Sequence, residues 1–210
     1  ICYTRNQNLP KKLSNLRANG HLGLYFAELN GGNWSAPLPF AHNSSKYSTM
    51  HPAFTADGTT LIFASDMPGG HGGMDLYRST HEAGQWSTPV NLGSGINGLG
   101  NDAFPTLAAD GTLYFSSDRT GGAGKLDLYT AEPAPGGWGT PTILPEPLNS
   151  TGNDINFVIG SDERNGYFSS DRQGSDKIFG WKRTVPKFRD CIPQQLNNYC
   201  YSFKAKPHAA

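Results

Sequence analysis

The sequence predicts an all-β fold, a β-propeller built from four-stranded blades. Three observations predict it: an internal repeat of 52 residues, short apolar runs of strand length, and an abundance of turn-forming residues. The stretch from His51 to Asp102 is written again, almost position for position, from Ala103 to Asp154. Asp66 and Asp118, Asp75 and Asp127, and Trp86 and Trp138 are each 52 residues apart. A period near 50 with several short strands per unit is the pattern of a propeller blade. With 26 Gly, 15 Pro and 36% hydrophobic residues in 210, many short strands and turns are expected, and no long helices.

The chain divides into repeats over 1–183 and a tail, or the start of a following module, over 184–210. The repeats comprise a partial blade at 1–47, complete blades at 51–102 and 103–154, and a partial blade at 155–183. In the first unit, Tyr3 to Tyr25 spans 22 residues, against 14 from Phe63 to Tyr77 and from Phe115 to Tyr129, an insertion of eight. That insertion carries Lys11, Lys12 and Arg17. It is either a recognition loop or a solvated excursion, since surface loops accept added length at small entropic cost.

Four strands are expected in a full unit. The first, Pro52–Thr55, ends in Ala56-Asp57-Gly58, where Asp-Gly supplies the positive φ of a tight turn. The second, Leu61–Ala64, is apolar on both faces, as a strand covered on both sides must be. The third, Asp75–Thr80, comes after a glycine-rich turn, and the fourth runs from Trp86 to Val90. Proline cannot donate to a ladder, so Pro37, Pro89 and Pro141 belong on an edge strand. The linkers 91–101 and 145–153, rich in Gly, Asn, Ser and Pro, fit crossings to the next blade.

Lys and Arg total 17, as do Asp and Glu, so nothing marks a nucleic-acid or anionic membrane partner. No apolar run approaches membrane-spanning length, and Ile1 opens the chain as in a mature protein or an excerpt. Cys191 and Cys200 lie close in the tail, either as a local disulfide or as neighbouring free thiols. Cys2 replaces an apolar strand residue and is expected to behave as a small buried hydrophobe.

His51-Pro52-Ala53-Phe54-Thr55-Ala56-Asp57-Gly58, then Leu61 to Gly70, then Asp75-Leu76-Tyr77, resemble the TolB-type propeller repeat. The version they are most similar to occurs in Bacteroidota envelope proteins that carry tetratricopeptide repeats before the propeller and an OmpA-like peptidoglycan-binding domain after it. The resemblance spans about residues 1–183, and Asn198 to Phe203 also resembles the segment after the last blade in that group. It implies a periplasmic or outer-membrane-associated protein with envelope protein partners, some relatives being linked to type IX secretion and gliding. It also implies export, in which case Cys191 and Cys200 are expected to be joined. Peptidoglycan binding would reside in a domain absent from this sequence, so it transfers to no residue here.

Motifs for other chemistry are missing or misplaced. Gly124-Lys125 leads into a strand, where a phosphate loop needs a helix. The six histidines show no metal-ligand spacing, no Gly-x-Ser-x-Gly elbow is present, and neither metal nor cofactor is expected. The enzymatic alternative is a carbohydrate-active propeller, a glycoside hydrolase or lectin, with carboxylates converging on the central funnel. Asp66, Asp118 and Asp171 instead recur at one equivalent place, and a residue needed in every blade is a structural part. The same logic makes Asp75 and Asp127 structural, and Trp34, Trp86 and Trp138 packing residues between blades. If the repeats bind a ligand through these turns, Asp66, Asp118, Arg119, Asp171 and Arg172 are the candidates, because their turns share a face. The expectation is a scaffold for protein partners that catalyses nothing.

Overall fold

The computed structural model describes residues 1–7, 20–184 and 202–207. Twenty strands form among them and no helix. The first sheet contains β1 (Cys2–Asn6), β2 (Leu22–Phe26) and β5 (Leu38–Pro39), with a small hairpin of β3 (Leu29–Asn30) and β4 (Asn33–Trp34) at its rim. In the second, β6 (Thr49–Phe54), β7 (Thr60–Ser65), β8 (Asp75–Glu82) and β10 (Val90–Asn91) pair in order, and β9 (Gln85–Trp86) folds back on the end of β8. The third repeats this with β11 (Asp102–Leu107), β12 (Leu113–Ser117), β13 (Asp127–Ala131) and β16 (Thr142–Ile143), and its rim hairpin is β14 (Pro133–Ala134) with β15 (Gly137–Trp138). The fourth comprises β17 (Asp154–Ile159), β18 (Asn165–Ser170), β19 (Lys177–Thr184) and β20 (Ser202–Pro207).

All pairings are antiparallel, and β6, β11 and β17 lie side by side as the inner strands of successive propeller blades. The second strands are the buried centre of each sheet: Leu61 to Ala64 and Leu113 with Phe115 have no exposed surface, and Phe168 only 1%. Each apolar cluster joins two neighbouring sheets. Ile62, Ala64 and Leu76 of the second pack with Leu113, Phe115 and Tyr129 of the third, and Tyr114 of the third packs with Phe157 and Phe168 of the fourth. Stacking blade on blade therefore removes from water the faces that a lone four-stranded sheet would leave wet.

Two details differ from the sequence reading. The fourth strand, expected as one run from Trp86 to Val90, is two pieces: β9 pairs at His81 and Glu82, β10 pairs at Tyr77 and Arg78, and Ser87 to Pro89 lie outside both ladders, with the Ser87 N–H still donating to the Thr80 carbonyl (2.8 Å). Pro89 has no N–H to give, and the Ser87 carbonyl is taken by the Ser79 hydroxyl (2.6 Å). In the stretch read as a tail, Ser202–Pro207 runs along β19, making the outer strand of the fourth sheet.

The inner strands share an irregularity that the sequence conceals. Register slips between Met50 and Ala53, between Ala103 and Thr106, and between Ile155 and Val158. In each slip one non-glycine residue takes a left-handed backbone: His51 (φ 54°), Phe104 (φ 53°) and Asn156 (φ 55°). These are β-bulges, which bend a strand and sharpen its twist.

Candidate interaction face

The turns after the second strands carry the residues singled out from the sequence. Asp66 Oδ1 accepts the Ser48 backbone N–H (2.6 Å). Asp118 accepts both the backbone N–H and the side-chain amide of Asn101 (2.6 and 2.7 Å), and Asp171 holds Asn153 in the same two-pronged way (2.7 and 2.8 Å). Bonds from the Asn153 backbone, then from its side chain, hold the Asp171 carboxyl below its usual pKa. Each carboxylate fastens the entry of its sheet's first strand to the turn leaving its second, a bond available only where the short Asp side chain meets backbone N–H groups.

Arg119 and Arg172 sit beside these carboxylates but point into the sheets. Arg119 reaches the fully buried Asp102 (2.6 Å), the Ile96 carbonyl (2.6 Å) and the Ser117 hydroxyl (2.8 Å), with its guanidinium over Phe115 and Tyr129. Arg172 repeats the arrangement with Asp154 (2.6 Å), the Leu148 carbonyl (2.5 Å) and Ser170 (2.8 Å), over Phe168 and Phe179. Each guanidinium thus clamps the incoming linker to its sheet, through a planar donor fork that a lysine does not have. In the second sheet Thr49 occupies the place of the buried Asp, by its pairing with Ser65, and Met67 the place of the Arg. Both partners change together, as expected when a buried charge left alone is costly.

The glycine-rich turns wrap the next carboxylates. Asp75, 1% exposed, accepts the His71 and Gly72 backbone N–H groups (2.5 and 3.1 Å) and the Asn91 amide (2.9 Å). Asp127, equally buried, accepts the Gly124 N–H (3.0 Å), while its Oδ1 has no partner among the described residues. Ile143 stands where Asn91 stands one sheet earlier, which removes the donor. A side chain at Gly72 or Gly124 would run into the linker backbone, at the Gly100 and Ser150 carbonyls respectively.

Sequence reasoning missed Asn43, Asn97 and Asn149. Each side chain bonds both backbone groups of one third-strand residue: Leu24, Leu76 and Leu128 respectively. Their spacings, 54 and 52 residues, were the available signal.

The tryptophans separate into two behaviours. Trp86 stacks on Phe26 of the preceding sheet (5.5 Å between ring centres), and Trp138 packs against the cluster shared by the second and third sheets while donating to the Gly111 carbonyl (2.9 Å). Trp34 is a correction: expected between blades, it is 57% exposed.

At the inner strands, His51 stacks on Phe104 (3.8 Å), its backbone N–H donates to Thr4 Oγ1 (3.0 Å), and its Nδ1 is buried without a partner among the described residues. Burial pushes its pKa down to about 4, so the imidazole is neutral at neutral pH. In the first sheet, Cys2 packs against the cluster shared with the second, and burial pushes its thiol up to about 12. A thiol held protonated in this way is a poor nucleophile.

The repeated Asp and Arg side chains are therefore brought together in pairs, sheet by sheet, rather than converging on one point. Among the described residues no group of three or more His, Cys, Asp or Glu is placed to hold a metal ion, and no helix is long and apolar enough to cross a membrane. Lys11, Lys12 and Arg17 of the insertion, and Cys191 with Cys200, lie outside the described residues.

No family model matches the chain, and no curated protein matches it. Solved structures do. A TolB protein of Agrobacterium tumefaciens superposes with a TM-score of 0.53 at 15% identity, over 79% of this chain and 55% of that one. TolB from Acinetobacter baumannii gives 0.49 at 17% identity, covering 77% of this chain and 35% of that one. A puromycin-hydrolysing peptidase of Mycobacterium tuberculosis gives 0.46 at 16%, covering 77% and 23%. The chain thus spans between about a third and about half of the two TolB structures. At such identities what is shared is architecture, and that architecture is the TolB-type β-propeller.

Proposed function

We propose that this chain is a non-enzymatic scaffold of the bacterial cell envelope, exported to the periplasm or its outer-membrane boundary, that holds protein partners on a rigid loop face. The observation that carries the reading is the use made of the repeated acidic side chains. Asp66, Asp118 and Asp171 each fasten a strand entry through backbone N–H groups, and Asp102 and Asp154 each neutralise a clamping arginine. Carboxylates so engaged hold loops in place, whereas a glycosidase needs a pair free to meet substrate. A face of short, cross-tied loops offers a partner a surface that loses little entropy on binding.

Partner choice would rest with the loop that differs from its repeat equivalents, the insertion bearing Lys11, Lys12 and Arg17. The envelope proteins that the repeats resemble include members of OmpA-associated, type IX secretion and gliding assemblies, and export to such a setting would join Cys191 to Cys200. The test is deletion of residues 9–17 in the purified chain. Melting should stay within a few degrees, because loop length costs little, while a partner captured from envelope extract and reconstituted in pure form should bind more weakly. Unchanged binding of that reconstituted partner would move the site elsewhere, and glycan cleavage abolished by changing one carboxylate would overturn the scaffold reading.

A further inference from the structure

The junctions between successive sheets are built alike, and one difference between two of them opens a cleft. By strand register, Phe26 beside Leu38, Arg78 beside Val90 and Thr130 beside Thr142 are equivalent positions. At the first junction Phe26 fills the space under the rim tryptophan, stacking on Trp86 with an 11° angle between rings. At the second junction the residue in that place is Arg78, and a cleft of about 230 Å³ lies between Arg78 and Val90 on one sheet and Pro135 and Trp138 on the next.

The lining is chemically lopsided. Arg78 is exposed and has no ion pair among the described residues, unlike Arg119 and Arg172. Val90 is 51% exposed, and the Trp138 ring is fixed by its bond to Gly111. Asn91 also borders the cleft, but its amide is given to Asp75 and its carbonyl receives the Gly93 backbone N–H and the Asn97 amide. The cleft therefore offers one uncommitted cation beside the apolar side chains of Val90 and Trp138, in a lining that is otherwise largely polar backbone.

We propose that this cleft is a docking site for an acidic peptide segment of a protein partner. In it, Arg78 takes a carboxylate side chain and Trp138 with Val90 covers the apolar residue beside it. The proposal rests on the reading of the chain as a protein-binding propeller, though at the rim rather than at the basic insertion. Size and charge both select this occupant. The volume suits one or two side chains, and a guanidinium grips a carboxylate with paired, charge-assisted bonds. A sugar ring could lie on Trp138, but a neutral sugar brings no charge to Arg78, whereas a carboxylate does.

The experiment uses the full chain and a displayed peptide library with a fixed Leu-Glu core and random flanks, beside the same library with a Leu-Gln core. Glu-core peptides should be enriched about tenfold or more over Gln-core peptides, the margin expected for one charge-assisted pair. That preference should vanish in Arg78→Gln and in Arg78→Phe. The second variant copies the first junction, so it should fill the cleft and melt at or above the wild-type temperature, separating loss of the site from loss of the fold. Equal selection of both cores, a Glu preference that survives Arg78→Phe, or binding of a uronic acid oligosaccharide alone would overturn the proposal. A partner that binds Arg78→Phe as it binds wild type, yet is lost on deleting residues 9–17, would sink this site and leave the scaffold reading standing.

Discussion

The Arg119–Asp102 pair and its absence one sheet earlier amount to a substitution experiment already present in the chain. Asp102 is fully buried, so Arg119→Met alone should strand its charge and cost about 3 kcal/mol or more, and Asp102→Thr alone should strand the guanidinium. Making both changes copies Thr49 and Met67 and should cost clearly less than the two singles added together. Urea unfolding of the four proteins measures the coupling, and additive costs would show the pair to be two independent residues. His51 sets a second expectation at this scale. Its folded pKa of about 4 lies below the unfolded value near 6.5, so the unfolded chain binds the extra proton between them. Above pH 7 this contributes nothing, and stability is lost as pH falls from about 6.5 towards 4, by up to about 3 kcal/mol. His51→Phe should flatten that part of the stability–pH profile while keeping the stack on Phe104, and an unchanged slope would assign the loss to other groups.

At the level of strands, legibility in the sequence tracked how strongly burial constrains residue type. Leu61 to Ala64 and Leu113 to Phe115 read as central strands because two faces must be apolar at once, and they have the buried places expected of them. The outer strands were harder. Val90–Asn91 and Thr142–Ile143 are two residues long and half in water, so pairing there selects no residue type, and the break after Trp86 left no mark beyond Pro89. The bulges were invisible for a related reason. Glycine would have announced a left-handed position, but His51, Phe104 and Asn156 share no side-chain chemistry. The asparagines bridging the third strands were on display at regular spacing, and were hidden by linkers in which Asn also serves as an ordinary loop residue. Rim tryptophans test how far sheet-to-sheet packing extends. Trp86→Ala removes a ring stacked on Phe26 and edge-on to Phe40, and should cost about 3–5 kcal/mol, whereas Trp34→Ala, at an exposed site, should stay within about 0.5 kcal/mol. Equal losses in thermal melts would mean that Trp34 is covered in solution.

Across the whole molecule, the sheets are cross-tied rather than merely stacked. The Met74 N–H of the second sheet's glycine-rich turn donates to the Asn101 side chain (3.2 Å), and Asn101 is gripped in turn by Asp118 of the third sheet. Asn101→Ala should therefore raise hydrogen exchange at Met74 and its turn, in a different sheet, while leaving the β12 amides protected; exchange confined to residues near 101 would deny the relay. The direction of these ties has a consequence during synthesis. Asp118 and Arg119 come 17 residues after Asn101 and Asp102, and Arg172 comes 18 after Asp154. A linker leaving the ribosome is thus held first by the finished sheet behind it, through Asn97 on Leu76 and Asn101 on Met74, and gains its second set of ties only when the next second strand arrives. Nascent chains in which residue 110 has just cleared the exit tunnel should carry a second sheet whose trailing linker is tied on one side only, and should be cut there by protease more readily than chains in which residue 119 has cleared it.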